Sequence, residues 1–151
     1  MRADAQPSVV YTVIPYGFIP HAYPLIRPIN PRYVRVEEEI IFRSKQSWWS
    51  PKVQRYENEF VIPKGFVCDL ASVPYILRWL APTWMQTAGA GALHDLLYKT
   101  GALTRLDADR VLYEALRAEP ATDMVRALGM WLVVRLFGWP AWCRHRIREV
   151  H

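Results

Sequence analysis

Four side chains carry the chemistry this sequence could do: Asp69, His94, Asp95 and Asp109. Asp69 directly follows the apolar run Phe66–Val67–Cys68, where a strand would pass the chain to a turn. His94 and Asp95 lie in Leu93–His94–Asp95–Leu96–Leu97–Tyr98, an otherwise apolar stretch of helix. On a helix, His94 and Tyr98 are four apart and share a face, while Asp95 is rotated away by about 100°. An imidazole and a carboxylate in such surroundings are costly to desolvate unless each has a partner. A short connection at Gly101 would return Asp109, in Asp107–Ala108–Asp109–Arg110, to the same helix. Two chemistries fit. His94, Asp95 and Asp69 offer nitrogen and oxygen ligands suited to zinc or manganese. Alternatively, the same groups form a buried polar staple, with Asp69 capping the turn at Ser72–Pro74 and His94 bonded to Asp69 or Asp109. A second histidine ligand is not evident, since His145 and His151 belong to the tail and His21 to a proline-rich stretch.

These residues need elements to position them. Val9 to Ile14 reads as a short strand, and the segment with Pro15, Pro20, Pro24, Pro28 and Pro31 as an extended arm or wrapped loop. Val34 to Phe42 reads as one strand, with Glu37–Glu38–Glu39 as a solvated edge. Ser47–Trp48–Trp49–Ser50–Pro51 reads as a loop tip whose tryptophans are either an exposed contact site or a plug for the sheet. Phe60–Ile62 and Phe66–Cys68 are further strands, turning at Pro63–Lys64–Gly65. After that the pattern is helical. Pro74 near a first turn opens a short helix capped by Ser72. Thr83 caps a second helix to about Lys99, stopped by Gly101. Thr104 with Asp107 opens a third, to about Ala118, with Leu106, Val111, Leu112, Ala115 and Leu116 as its apolar stripe. Pro120 breaks the chain before a core helix over about 122–137, and Pro140 begins a basic tail helix. Before the His94 turn, Ala88–Gly89–Ala90–Gly91–Ala92 has so little side-chain volume that another element or a ligand can approach its backbone.

With 151 residues, 52% of them apolar, the chain fits one compact domain, divided here into an N-terminal arm with strands (1–54) and a helical core (55–151). The segregation of β-type runs before residue 70 from helical periodicity after it predicts an α+β fold. A small antiparallel β-layer with a proline-rich arm comes first, then four or five packed helices. The apolar run Met124–Trp142 is interrupted by Arg126, Arg135, Gly138 and Pro140, so no membrane span is expected. The first residues lack the apolar run of a secretory leader, and Cys68 and Cys143 read as buried free thiols of a reducing compartment. Arg144, His145, Arg146 and Arg148 with Trp139 and Trp142 form a basic, aromatic face. No groove-reading motif accompanies it, so a solvated tail or a protein contact is favoured over nucleic acid. Ser72 lacks a nucleophile elbow and is read as a cap.

Gly65–Phe66–x–x–Asp69–x–Ala71–Ser72–x–Pro74, then His94–Asp95–x–x–Tyr98 and Ala108–Asp109–Arg110, resembles an uncharacterised phage and prophage family, the domain of unknown function thirteen fifty-three. Phe137–Gly138–Trp139 fits the same pattern, and the resemblance spans about residues 55–140. It implies a bacteriophage origin, often beside tail or virion genes, and no settled activity. His-Asp-x-x-Tyr on one helix and Ala-Asp on the next is also similar to the core of phospholipases A2. That likeness implies His94 as general base, Asp95 as calcium ligand and Asp109 as the group orienting His94. Calcium takes six to eight oxygens, of which Asp95 and Asp69 would supply part.

The expectation is therefore a non-enzymatic virion component of the tail or tail tip, made in the host bacterial cytoplasm and assembled with other phage virion proteins as an oligomer. No cofactor is expected. The alternative is a metal-dependent hydrolase, phospholipase A2-like or directed at peptidoglycan. It would use His94 and Asp109 for catalysis, with calcium or zinc held by Asp69 and Asp95.

Overall fold

The computed structural model describes residues 16–20, 25–30, 33–69, 87–120 and 122–148. Two three-stranded antiparallel sheets form first, and four helices follow among the described residues, which gives the α+β class. The strands are β1 (Gly17–Ile19), β2 (Ile26–Pro28), β3 (Tyr33–Val36), β4 (Ile40–Ser50), β5 (Arg55–Ile62) and β6 (Val67–Asp69). Their orders are β1-β4-β5 and β2-β3-β6. The helices are α1 (Ala88–Thr100), α2 (Arg105–Ala118), α3 (Met124–Phe137) and α4 (Trp139–Arg148).

Residues 34–42 are not one strand. The chain bends at Glu37–Glu39, and β3 and β4 join different sheets. Three adjacent carboxylates stay in water at the bend, while the Glu37 N–H donates to the Leu25 carbonyl at 2.9 Å. Nor is Ser47–Ser50 a loop tip: β4 runs to Ser50, and the turn occupies 51–54. Successive strand residues point to opposite faces, so the two tryptophans separate: Trp48 is 7% exposed and Trp49 46%. The register shifts between Arg43 and Trp48. Glu114 of α2 holds this irregular stretch, accepting from the Ser44 hydroxyl at 2.6 Å and from the Lys45 N–H.

The proline-rich segment, where described, is part of the body rather than an arm. Phe18 on β1 and Ile26 on β2 are core residues, because each strand pairs with a longer neighbour and buries an apolar side chain. The expected strand at Val9–Ile14, the short helix opened at Ser72 and Thr83 itself lie outside the described residues, and the helix expected from Thr83 begins at Ala88, with Thr87 at its N-cap.

The helical layer closes the core. Ala88, Ala90, Ala92, Leu93 and Leu97 of α1 and Val111, Leu112, Ala115 and Leu116 of α2 are buried with Ile40, Phe42, Phe60 and Ile62. Thr104 caps α2 by accepting from the Asp107 N–H, as its spacing predicts. Leu106 does not join the stripe: it is exposed, and Ala108 and Asp109 face inward instead. Gly101 ends α1 with φ +61, and its N–H donates to the Leu97 carbonyl. A side chain there would overlap the Arg146 guanidinium, which donates to the carbonyls of Tyr98 and Lys99 and ties α4 to the end of α1. Asp123 caps α3 through the Arg126 N–H at 2.8 Å. The largest departure is α3 itself. It is not a core helix: only Ala127 is buried, and its apolar side chains mostly face outward. Both cysteines are free, but only Cys68 is buried; Cys143 is half-buried because α4 lies at the margin of the helical layer.

Candidate functional site

The centre of the site is Asp109. It sits on the inner face of α2, fully buried, and receives three donors from two other helices. From α1, His94 Nε2 lies 2.8 Å from Oδ1 and the Tyr98 hydroxyl donates to the same oxygen at 2.6 Å. From α3, Arg135 Nη1 donates to Oδ2 at 2.7 Å. The connection 101–104 lets α1 and α2 pack side by side, so residues fifteen apart in sequence meet. The His94 and Tyr98 rings, one helical turn apart, pack tilted at 46° with centroids 4.1 Å apart, and Trp142 of α4 meets Tyr98 edge-on at 5.1 Å. Gly138, between α3 and α4, lies so close that a Cβ would stand 3.0 Å from the Tyr98 hydroxyl. Arg105 of α2 donates to the carbonyls of Val134 and Arg135, fixing the end of α3 over the site.

The electrostatics follow from this geometry. Burial by itself raises the Asp109 carboxyl, but the bonds from His94, Tyr98 and Arg135 outweigh it and hold the group below its ordinary value of 3.8. Burial, and then the bond to the Asp109 anion, push the Tyr98 phenol well above its usual range, so it remains a donor. The Asp109 carboxylate, an acceptor only, takes its bond from Nε2, so Nδ1 is the ring nitrogen turned away from it. No described residue bonds Nδ1.

Asp69 and Asp95 belong to a second cluster. Asp95, on another face of α1, accepts from Lys99 at 2.6 Å, and Lys99 also donates to the Val67 carbonyl of β6 at 3.1 Å. Burial first, and then the nearby Asp95 carboxylate, push the Cys68 thiol far up, so it is an unreactive donor toward Asp95. Asp69 ends β6 opposite Tyr33. Among the described residues, no group of three or more His, Cys, Asp or Glu side chains is arranged to hold a metal ion. The structure thus joins His94 to Asp109, and gathers Asp95 and Asp69 near Cys68.

Sequence reasoning missed Arg135, taking it as an interruption of an apolar helix. The sequence held only half of the signal: a buried cation in an apolar helix needs a counter-charge, but Arg126 and Arg135 both interrupt α3 and nothing local says which of them turns inward. Tyr98 was placed on the His94 face but not counted in the cluster.

Residues 42–134 match the family described as Protein of unknown function (DUF1353). The chain belongs to this family. The match begins at Phe42, inside β4, rather than near residue 55, and ends before the Phe137–Gly138–Trp139 corner. It takes in His94, Tyr98 and Asp109, and stops one residue before Arg135. No curated protein and no solved structure matches the chain.

Proposed function

We propose that this member of the family is a non-enzymatic component of a bacteriophage particle, assembled in the tail or its tip with other virion proteins. The observation that carries the reading is the exposed aromatic pair at the turn of the β4–β5 hairpin. Trp49 and Tyr56 pack edge to face at 5.3 Å on the solvent side, with Tyr56 70% exposed and Val53 beside them at the turn. Large aromatics with apolar bodies and polar edges are the groups on which protein interfaces concentrate their energy. This tip is held in place from within: Ser50 donates to the Ala102 carbonyl and Lys52 to the Thr100 carbonyl at 2.8 Å. The resemblance to a phage and prophage family supplies the setting.

Trp49→Ala combined with Tyr56→Ala is expected to lower the melting temperature by only about 5 °C, since Tyr56 is 70% and Trp49 46% exposed. The same double variant should disappear from purified particles in which mass spectrometry finds the native protein. Particles that lack the native protein would sink the reading.

A second reading, a hydrolase with His94 as general base, is favoured by one observation: Asp109 holds Nε2, and no described residue engages Nδ1. In this reading Nδ1 would take the proton of an attacking water and Asp109 would steady the imidazolium. His94→Ala separates the two. As part of a staple, His94 is worth about 1–3 kcal/mol of stability, and its loss leaves Asp109 short of one donor. As a base, its replacement abolishes turnover of phospholipid or peptidoglycan that the native protein cleaves, with or without added calcium or zinc. Native protein that cleaves neither substrate retires the hydrolase.

A further inference from the structure

The turn that leads from α2 into α3 buries polar groups without satisfying them. Glu119 and Thr122 flank Pro120, and their side chains are 5% and 6% exposed. The Thr122 N–H donates to the Glu119 carbonyl at 3.1 Å and closes the backbone turn. Glu119 Oε1 and Thr122 Oγ1, however, have no hydrogen-bond partner among the described residues. Buried polar groups are nearly always bonded, so two orphans in one turn make its closed form costly against an open, hydrated one.

The element that hangs from this turn is α3. Of its fourteen residues only Ala127 is fully buried, and Met130 and Val134 are partly covered. Its far end is held by polar contacts: Arg135 donates to Asp109, and Arg105 donates to the carbonyls of Val134 and Arg135. Gly138, just past the helix, lies against the Tyr98 hydroxyl. The helix thus crosses the buried cluster with a costly joint at one end and a polar clasp at the other. Segments with few buried apolar side chains open at lower free energy than the core.

We infer that α3 is a lid over the Asp109–Tyr98 end of the site, hinged at Glu119 and Thr122, and that loss of the Glu119 proton opens it. The closed turn accommodates a neutral carboxyl. An anion there must reach water, which it does when the turn opens and α3 lifts, uncovering Asp109 and freeing Arg135. Among the described residues, burial alone displaces the Glu119 carboxyl, to about 7. Of the charged groups on the elements that meet at the turn, Arg117 is exposed at the end of α2, and Asp123 and Arg126 pair with each other at 3.6 Å at the start of α3. The strand β1, which approaches α2 at Ala118, carries none. The clasp keeps its charges, since Asp109 is held below 3.8 and a guanidinium does not lose its proton. The inference rests on neither functional reading above.

Amide hydrogen exchange of the full chain at pH 6 and pH 8, with each rate divided by its intrinsic value at that pH, tests the lid. A carboxyl at 4.5 in the open form and about 7 in the closed one makes opening about tenfold more favourable at pH 8. The amides of 127–137 should therefore lose about tenfold in protection, and lose it together. The strand amides of Ile40–Phe42 and Phe60–Ile62, which open only on global unfolding, should stay about a hundredfold or more better protected at both pH values. In Glu119→Gln the protection of α3 should be the same at pH 6 and pH 8. Should that variant fail to fold, Thr122→Val, which removes the other orphan, should slow exchange of α3 several-fold at both pH values. Exchange of α3 and the strands as one unit overturns the inference. So does loss of protection confined to the first turn of α3, an unchanged pH dependence in Glu119→Gln, or no slowing in Thr122→Val.

Discussion

Asp109→Ala is expected to destabilise the protein by about 3–5 kcal/mol, because it removes the one acceptor shared by three buried or half-buried donors. The buried Tyr98 hydroxyl and the mostly buried His94 Nε2 lose their partner, and the Arg135 guanidinium loses its counter-charge. For a chain of this length the melting temperature should fall on the order of 10 °C. Asp109→Asn keeps the volume and one acceptor oxygen but turns an amide NH2 toward Arg135 or toward the other two donors, so it recovers only part of the loss. Since each group strands the other, Asp109→Ala and Arg135→Ala should be non-additive by about 1–3 kcal/mol in a double-mutant cycle. Additive losses would show that the carboxylate and the guanidinium do not depend on one another. The same site sets the acid limb of stability. A carboxyl held below 3.8 in the folded chain contributes its full stabilisation above that pH and loses it as pH falls through the lower folded value. Asp109→Ala should therefore melt with a flatter dependence on pH below about 4.

Glu119 is expected to work in the opposite direction, and at ordinary pH. It stands just after α2, held extended (φ −80, ψ 128) before Pro120, which disfavours the helical conformation for the residue preceding it. The side chain is buried, and Oε1 has no hydrogen-bond partner among the described residues. Burial pushes its carboxyl from 4.5 up to about 7. Between those two values the folded chain binds more protons than the unfolded one, so stability falls as pH rises through the window. The full penalty, about 3 kcal/mol, is present above pH 7. Glu119→Gln removes the charge and keeps the shape. Its stability should be nearly level from pH 4.5 to 7 and exceed the native protein by about 2 kcal/mol at pH 8. Denaturant titrations at pH 5 and pH 8 check this. Parallel behaviour of the two proteins across that range would mean that Glu119 is solvated in the folded state.

Both predictions rest on groups that differ in how visible they were. His94 and Asp109 could be paired from the chain alone, because a four-residue link beginning at Gly101 forces the two helices together. Arg135 could not, because it lies twenty-six positions on, in the next helix, and nothing local says which way α3 faces. Glu119 beside Pro120 was legible as a helix stop, but not as a buried acid: burial is a property of what packs over a residue.

The elements themselves were fixed largely by local chemistry. Thr104 with Asp107 set the start of α2, Gly101 set the end of α1, and the segregation of β-type runs before residue 70 from helical stripes after it set the α+β class. Local rules failed where pairing decided the outcome. Residues 34–42 look continuous, yet β3 and β4 take different partners, and only long-range hydrogen bonding makes Glu37–Glu39 a bend. Trp48 and Trp49 were equivalent as neighbours in sequence, and the pleat of β4 made one core and the other surface. The apolar residues of α3 show the limit most plainly. Hydrophobic composition says that a surface will be buried against something, and only the packed structure shows that Met124, Leu128, Leu132 and Leu136 are turned away from their own core. Periodicity reports a helix's faces, but which face meets the protein depends on contacts made between residues far apart in the chain.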